Sequence, residues 1–268
     1  MRKYDLLVTD FDGTLGKAPD YVEPCTVEAV KKFTAGGGKF AICTGRIYSS
    51  IMNICRKYDF EGIVISYQGA DINDIKTGKS LYSGGMSCEL AVALVKDLAR
   101  EKSQTVVEAD DMLVFDRTSP YVDYYQKVVG VKGLLVDNLA EYVRNRGRSV
   151  QKINAVSDTE NIKIMTKKYS EKYKGKLIFN NGSDALFEAV SPDCTKGKAV
   201  EFLSKYYNIP YDRILAVGDS TNDIELLAGK WRGVAVGDAK DELKAIADEI
   251  TVPYEMNPIK VLIEKYCL

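Results

Sequence analysis

Ten residues near the start, Leu6-Leu7-Val8-Thr9-Asp10-Phe11-Asp12-Gly13-Thr14-Leu15, constrain this chain more than any others. A short apolar run stops at Asp10 and a second carboxylate follows at Asp12. Gly13 then lets the chain turn, and Thr14 offers a hydroxyl there. The pattern is that of a buried strand whose carboxyl end delivers two acids into a crevice, where open α/β sheets bind ligands. Carboxylates held that close repel unless one is protonated or a cation lies between them. The stretch therefore points to a hard metal ion, to acid–base chemistry, or to both.

The chain contains no histidine. That excludes Ser-His-Asp triads and His-ligated zinc, and leaves proton transfer to carboxylates, Lys, Tyr or Cys. With 268 residues there is material for about two domains of ~100–200 residues each. A net charge of −1 recommends neither a nucleic-acid nor a membrane partner, and no stretch approaches the ~18 apolar residues of a membrane span. The six cysteines are scattered, without zinc spacing or a C-x-x-C pair. Cys43 and Cys55 read as small core residues, and a reducing cytoplasm is the expected location. The N-terminus runs straight into the first strand, so no signal peptide is expected.

Along the chain, Glu23–Ala35 has helical spacing with Pro24 just inside its start, and Gly36-Gly37-Gly38 reads as its C-cap and turn. Lys39–Cys43 predicts a strand, Ile47–Tyr58 a helix, Gly62–Ser66 a third strand and Ala70–Tyr82 a hairpin turning near Thr77-Gly78. Strand–helix alternation of this kind builds a parallel sheet covered on both faces. Ser83-Gly84-Gly85 breaks the rhythm. An α+β segment follows: a helix over Ser87–Lys102, strands at Thr105–Glu108 and Leu113–Phe115, and helices around Tyr121–Val128 and Leu139–Arg146. It continues with a strand at Ser149–Val156, a helix over Thr159–Tyr173 and a hairpin around Asn181-Gly182-Ser183. After Ser191-Pro192-Asp193 the first rhythm resumes: helix Gly197–Tyr207, strand Arg213–Val217, helix Asn222–Ala228, strand Gly233–Val236, helix Lys240–Ala247, strand Glu249–Val252 and a last helix from Pro258. The expected fold is α/β, a Rossmann-like doubly wound parallel sheet over residues 1–83 and 191–268, carrying an inserted α+β cap domain over 84–190.

Four polar clusters stand at the ends of the predicted core strands: Asp10 with Asp12, Thr44, Lys196 just before a helix, and Asp219 with Asn222 and Asp223. A phosphoryl-transfer site needs such a set: an in-line nucleophile, a metal, a fixed cation and donors for phosphate oxygens. Magnesium suits one or two carboxylates plus substrate phosphate.

Asp10-Phe11-Asp12-Gly13-Thr14-Leu15, Thr44-Gly45-Arg46, Lys196-Gly197 and Gly218-Asp219-Ser220-Thr221-Asn222-Asp223 resemble, in order, the four motifs of the haloacid dehalogenase superfamily. The insertion between the second and third resembles the Cof-type subfamily of metabolite phosphatases, and the resemblance covers essentially the whole chain. It implies that Asp10 attacks phosphorus to form an aspartyl-phosphate, while Asp12 protonates the leaving alcohol and then takes a proton from the hydrolytic water. It implies Mg2+ held by Asp10, the Asp12 backbone carbonyl and Asp219, with Asp223 supporting from just outside. Thr44 and Lys196 would hold the phosphate, Lys196 also offsetting charge on Asp10, and Gly45, Arg46 and Asn222 would shape the substrate side. The substrate is expected to be a small phosphate ester, with sugar phosphates the default. Two departures are visible: Gln68-Gly69-Ala70 where the family usually has Asn-Gly-Ala, and Asp238 where Asn is common.

Plainer readings accompany several of these residues. Thr44 alone could cap a helix, Lys196 alone could be a solvated lysine, and Arg46 could make a surface ion pair. Tyr121 and Tyr125 fall on one helix face and read as packing rather than ligand stacking. Arg144, Arg146 and Arg148 read as a solvated basic edge, and Asp110-Asp111 as a hairpin turn. Rival functions are a signalling receiver, a phosphomutase with a similar cap and a metal-dependent glycosyltransferase.

Overall fold

The computed structural model of the chain describes residues 2–183 and 185–267. They form two compact units, Met1–Tyr82 with Thr195–Leu268, and Ser83–Cys194. In chain order the first unit opens with β1 (Leu6–Thr9), α1 (Pro24–Ala35), β2 (Lys39–Cys43), α2 (Tyr48–Tyr58), β3 (Ile63–Ser66), β4 (Asp71–Asp74) and β5 (Ser80–Ser83). The second unit follows with α3 (Cys88–Leu98), β6 (Gln104–Ala109), β7 (Met112–Phe115), α4 (Pro120–Val129), β8 (Leu134–Leu135), α5 (Leu139–Arg146), β9 (Lys152–Val156), α6 (Thr159–Lys172), β10 (Ile178–Ser183) and β11 (Leu186–Val190). The chain then returns through α7 (Lys196–Tyr207), β12 (Ile214–Gly218), α8 (Ile224–Leu227), β13 (Arg232–Ala235), α9 (Asp241–Lys244), β14 (Glu249–Ile250) and α10 (Pro258–Tyr266).

The first unit is one eight-stranded sheet in the order β14-β13-β12-β1-β2-β3-β4-β5. From β14 to β3 every pairing is parallel, and β4 turns back antiparallel against β3. Successive residues of β1 point to opposite faces, yet Leu6, Leu7 and Val8 are all fully buried, so both faces are covered. The chain winds outward from β1 to β3 on one side and from β12 to β14 on the other. That places a topological switch point between β1 and β12, where such sheets open a crevice at the carboxyl ends of their strands.

The second unit is a six-stranded sheet, β10-β11-β9-β6-β7-β8, antiparallel except for β7 with β8. One face carries Val107, Ala109, Ile153, Ala155, Phe187 and Ala189 in a core with residues of α3, α5 and α6. The alternate positions of the same strands carry Glu108, Lys152, Asn154 and Glu188, which are buried too. Asp110 and Asp111 make the β6–β7 turn, both with left-handed φ of 52° and 61°.

Several boundaries differ from the sequence reading, each for a local reason. The helix expected over Asn222–Ala228 is a 3-10 turn, Thr221–Asp223, leading into a single α turn, because Ser220 and Asp223 close a capping box there. The helix expected over Lys240–Ala247 is likewise one turn. β8 has two exposed residues, too few for any alternation to show. β10 runs through Ser183, so its turn comes after Asn181-Gly182-Ser183 and falls partly outside the described residues. Arg144, Arg146 and Arg148 are not one solvated edge: Arg146 and Arg148 both bind the Asp110 carboxylate, and the Arg146 side chain is nearly buried. Tyr121 and Tyr125 stack on each other with ring centres 5.6 Å apart, and the Tyr125 hydroxyl donates to Glu108.

Candidate active site

Parallel register sets three strand ends level. Thr9 pairs with Val217 of β12 on one side and with Ile42 of β2 on the other. The next residues, Asp10, Gly218 and Cys43, therefore come side by side. Asp10 N donates to Val217 O (2.9 Å), extending the ladder by one bond. The chain then doubles back, with Gly16 N donating to Phe11 O (2.8 Å) and Gly13 N to Gly16 O (2.8 Å). Gly13 has φ +84°, and a Cβ there would stand 2.6 Å from Asp219 Oδ2. Only glycine suits both that conformation and that approach. Thr14, at the same turn, donates through Oγ1 to Asp219 Oδ1 (2.8 Å) and fixes that carboxylate.

Asp223 is held by its own turn. Its Oδ2 accepts from the backbone N of Asp219 and of Ser220, both at 3.1 Å, and a Cβ on Gly218 would lie 2.6 Å from its Cβ. Its Oδ1 accepts from Lys196 Nζ (2.5 Å), which also donates to Asp10 Oδ1 (2.6 Å). Lys196 is the first residue of α7, whose N-cap Thr195 accepts from Lys198 N (3.3 Å). The lysine side chain is 1% exposed, so burial without these two carboxylates would be prohibitive.

Three carboxylates surround this one ammonium. Asp10, Asp219 and Asp223 each offer an oxygen, and the three oxygens lie within 4.8 Å of one another. Burial pushes the Asp10 carboxyl well up; Lys196 works against it, and Asp223, Asp219 and Asp12 add to it. Burial, then Asp223, push Asp219 up to about 6, against the Thr14 hydrogen bond and Lys196. Burial alone would lower Lys196, but the charges of Asp10 and Asp223 more than reverse this and raise it. A cluster with surplus negative charge, arranged oxygen to oxygen, fits a divalent hard cation.

The other predicted residues line the same unit. Thr44 follows β2, is buried, donates N–H to Ile65 O (2.9 Å) and accepts at Oγ1 from Arg46 N (3.2 Å). Tyr67 N donates to Arg46 O (3.0 Å) and Gln68 N to Thr44 O (3.0 Å), so the left-handed turn at Tyr67-Gln68 pins the Thr44–Arg46 loop. A Cβ on Gly45 would meet Gln68 Nε2 at 2.6 Å. Asn222 Oδ1 is buried without a hydrogen-bond partner among the described residues, an acceptor left for a ligand or water. Asp238 accepts from Tyr254 N (3.0 Å) and closes a loop.

Asp12 is set apart from the acid cluster. Its side chain is 46% exposed, and both its oxygens are taken by Arg46, from Nη2 (2.6 Å) and Nε (2.8 Å). The same guanidinium donates from Nη1 to Pro19 O (2.7 Å) and lies over the Phe11 ring at 4.7 Å. Sequence reading put Arg46 on the substrate side; the structure places it on Asp12 and the following loop. It also gives Thr14, quoted before only as a turn hydroxyl, a carboxylate to orient.

The profile of the haloacid dehalogenase-like hydrolases matches residues 7–263. The Bacillus subtilis phosphatase YwpJ is 24% identical over 92% of this chain and 94% of its own. The 5-amino-6-(5-phospho-D-ribitylamino)uracil phosphatase YitU of the same organism is 24% identical over 97% of each. A solved haloacid dehalogenase-like hydrolase from B. subtilis superposes with TM-score 0.87 and 22% identity, covering 97% of this chain and 99% of that one.

Proposed function

The chain belongs to the haloacid dehalogenase-like hydrolases of Cof type and is a phosphoric monoester hydrolase, and on that premise we propose that it dephosphorylates a small phosphorylated metabolite, a sugar or polyol phosphate, with magnesium and through an aspartyl-phosphate on Asp10. The observation that carries this reading is the Asp10–Lys196–Asp223 bridge with Asp219 beside it. It holds one carboxylate at a strand end, fixed by a buried cation, in a cluster that still has negative charge to spare.

In the first half-reaction an Asp10 oxygen bonds to phosphorus as the bond to the leaving oxygen breaks, and Asp12 gives that oxygen its proton. In the second, a water oxygen bonds to phosphorus, its proton passes to Asp12, and the bond to Asp10 breaks. Lys196 holds Asp10 in place and balances its charge. The Thr44 hydroxyl and the Asn222 amide supply further polar contacts to the phosphate side. Asp10, Asp219 and the Asp12 carbonyl would hold Mg2+, with Asp223 behind them; bound there, the ion neutralises charge on phosphate oxygens. The ribityl phosphate in the name of the B. subtilis relative supports a polyol phosphate as the substrate class.

The test is phosphate release from a panel of sugar, polyol and nucleoside monophosphates, with Mg2+ and with chelator. Release from at least one polyol phosphate, lost with chelator, is expected. Release unaffected by chelator would overturn the metal assignment. Consumption of substrate without inorganic phosphate would point to a mutase.

A further inference from the structure

The Arg46 guanidinium is engaged by the protein itself. Its three guanidinium nitrogens all donate within the first unit: Nε and Nη2 to the two oxygens of Asp12, and Nη1 to Pro19 O. One face of the group is laid on the Phe11 ring, and the side chain is only 11% exposed. The pairing with Asp12 is the two-pronged kind, which fixes direction as well as distance. Asp12 is otherwise the most exposed acid of the set, its side chain nearly half open on the turn before Gly13.

We propose that Arg46 is a positioning residue for Asp12, and that through Pro19 it makes the placement of this acid depend on the loop between Gly13 and Val22. The inference rests on the function proposed above, because it gives Asp12 a proton to move. A carboxyl group on an exposed turn samples several rotamers, and each one away from the leaving oxygen is unproductive. The fork of Arg46 removes that freedom. To donate or accept the proton, Asp12 frees one oxygen while the second prong keeps its direction. The Pro19 contact ties the fork to the chain just past the turn, so a shift of that loop moves the guanidinium and the acid together.

The tests are Arg46→Ala and Arg46→Lys, each assayed with an alkyl phosphate and with p-nitrophenyl phosphate. An alkoxide leaving group needs its proton and a nitrophenolate does not. For Arg46→Ala, kcat/KM should fall on the order of 10²-fold with the alkyl ester and by less than about tenfold with the aryl ester. Inhibition by inorganic phosphate should be unchanged. Arg46→Lys keeps the charge but lacks the fork and should not restore the alkyl ester. Equal losses for both esters with weakened phosphate inhibition would overturn the proposal and return Arg46 to the phosphate, as would full rescue by lysine. Trypsin cleavage after Lys17, within the loop, gives a readout without turnover: it should be several-fold faster in Arg46→Ala, and an unchanged rate refutes the loop contact. An unmutated protein that hydrolyses neither ester would remove the proposed function instead, and proteolysis would still decide the contact.

Discussion

Each unit of this molecule buries a lysine between two carboxylates, and the two clusters are built for different ends. In the first unit, Lys196 joins Asp10 and Asp223, with Asp219 alongside. In the second, Lys152 bridges Glu188 (2.8 Å) and Glu108 (3.3 Å). Glu108 also receives the Asn154 amide (2.7 Å) and the Tyr125 hydroxyl. The second cluster sits on paired strands of the sheet: Glu108 is paired with Lys152 across β6 and β9, and Glu188 with Asn154 across β11 and β9. Neutral donors bind Glu108 Oε1 there, while Asn154 Oδ1 and Glu108 Oε2, the latter facing only the Lys152 ammonium at 3.3 Å, have no hydrogen-bond partner among the described residues. The first cluster sits at strand ends, where turns aim three acids at one place and supply one lysine. A buried lysine thus marks structure where it is shared by two acids on paired strands beside neutral side-chain donors, and chemistry where three acids gather around it at strand ends.

The widest separation between the clusters should appear in turnover. Asp10→Asn removes the nucleophile and should cut phosphate release on the order of 10⁴-fold or more, while changing thermal stability little, since Lys196 keeps Asp223 as its partner and the lost ion pair is offset by relief of like-charge repulsion. A marked loss of stability in that variant would make the first cluster structural like the second. Lys152→Met should do the opposite damage, lowering stability by about 3–5 kcal/mol by stranding two buried acids, as read by denaturant unfolding. Added Mg2+ should come next. At about a hundred times its dissociation constant it should stabilise the protein by about 2.7 kcal/mol, a shift in Tm that Asp219→Asn abolishes and Glu188→Gln retains.

The smallest effect should be a pH dependence of the second cluster. Burial raises the Glu108 carboxyl, against Lys152 and the Tyr125 hydrogen bond, with Glu188 adding to the rise. A carboxyl raised in the folded state contributes stability below its unfolded value, and loses it as pH rises through the folded one. Glu108→Gln should therefore flatten the decline in stability above about pH 4.5, measured by urea unfolding across pH. An unchanged profile would show that Glu108 titrates normally and that the cluster is balanced without it.

This contrast was only half legible in the sequence. The α/β class and the parallel core followed from apolar runs such as Leu6–Val8 ending at polar residues, because burial on both faces leaves that pattern directly in the chain. The acids at Asp10 and Asp219 were readable for the same reason, as each ends a strand. Lys196 was named only through the resemblance of Lys196-Gly197 to a family motif: nothing local separates it from Lys198 or Lys205, and only the fold shows that, of these three, Lys196 is the buried one. The Glu108–Lys152–Glu188 network depends on cross-strand register, which no single strand records. Arg46 was singled out, but its partner was hidden, since Asp12 and Pro19 reach it only after the turn at Gly13 is made. The short helix after Asp223 ran long on paper because periodicity cannot see the Ser220–Asp223 capping box close.

The most direct test of the central claim is to trap the covalent intermediate. Asp12→Asn, mixed with p-nitrophenyl phosphate and Mg2+, should release about one equivalent of nitrophenol per site and gain one phosphoryl group by mass, on the peptide that contains Asp10. A burst with no adduct on that peptide, or an adduct on another residue, would contradict the account.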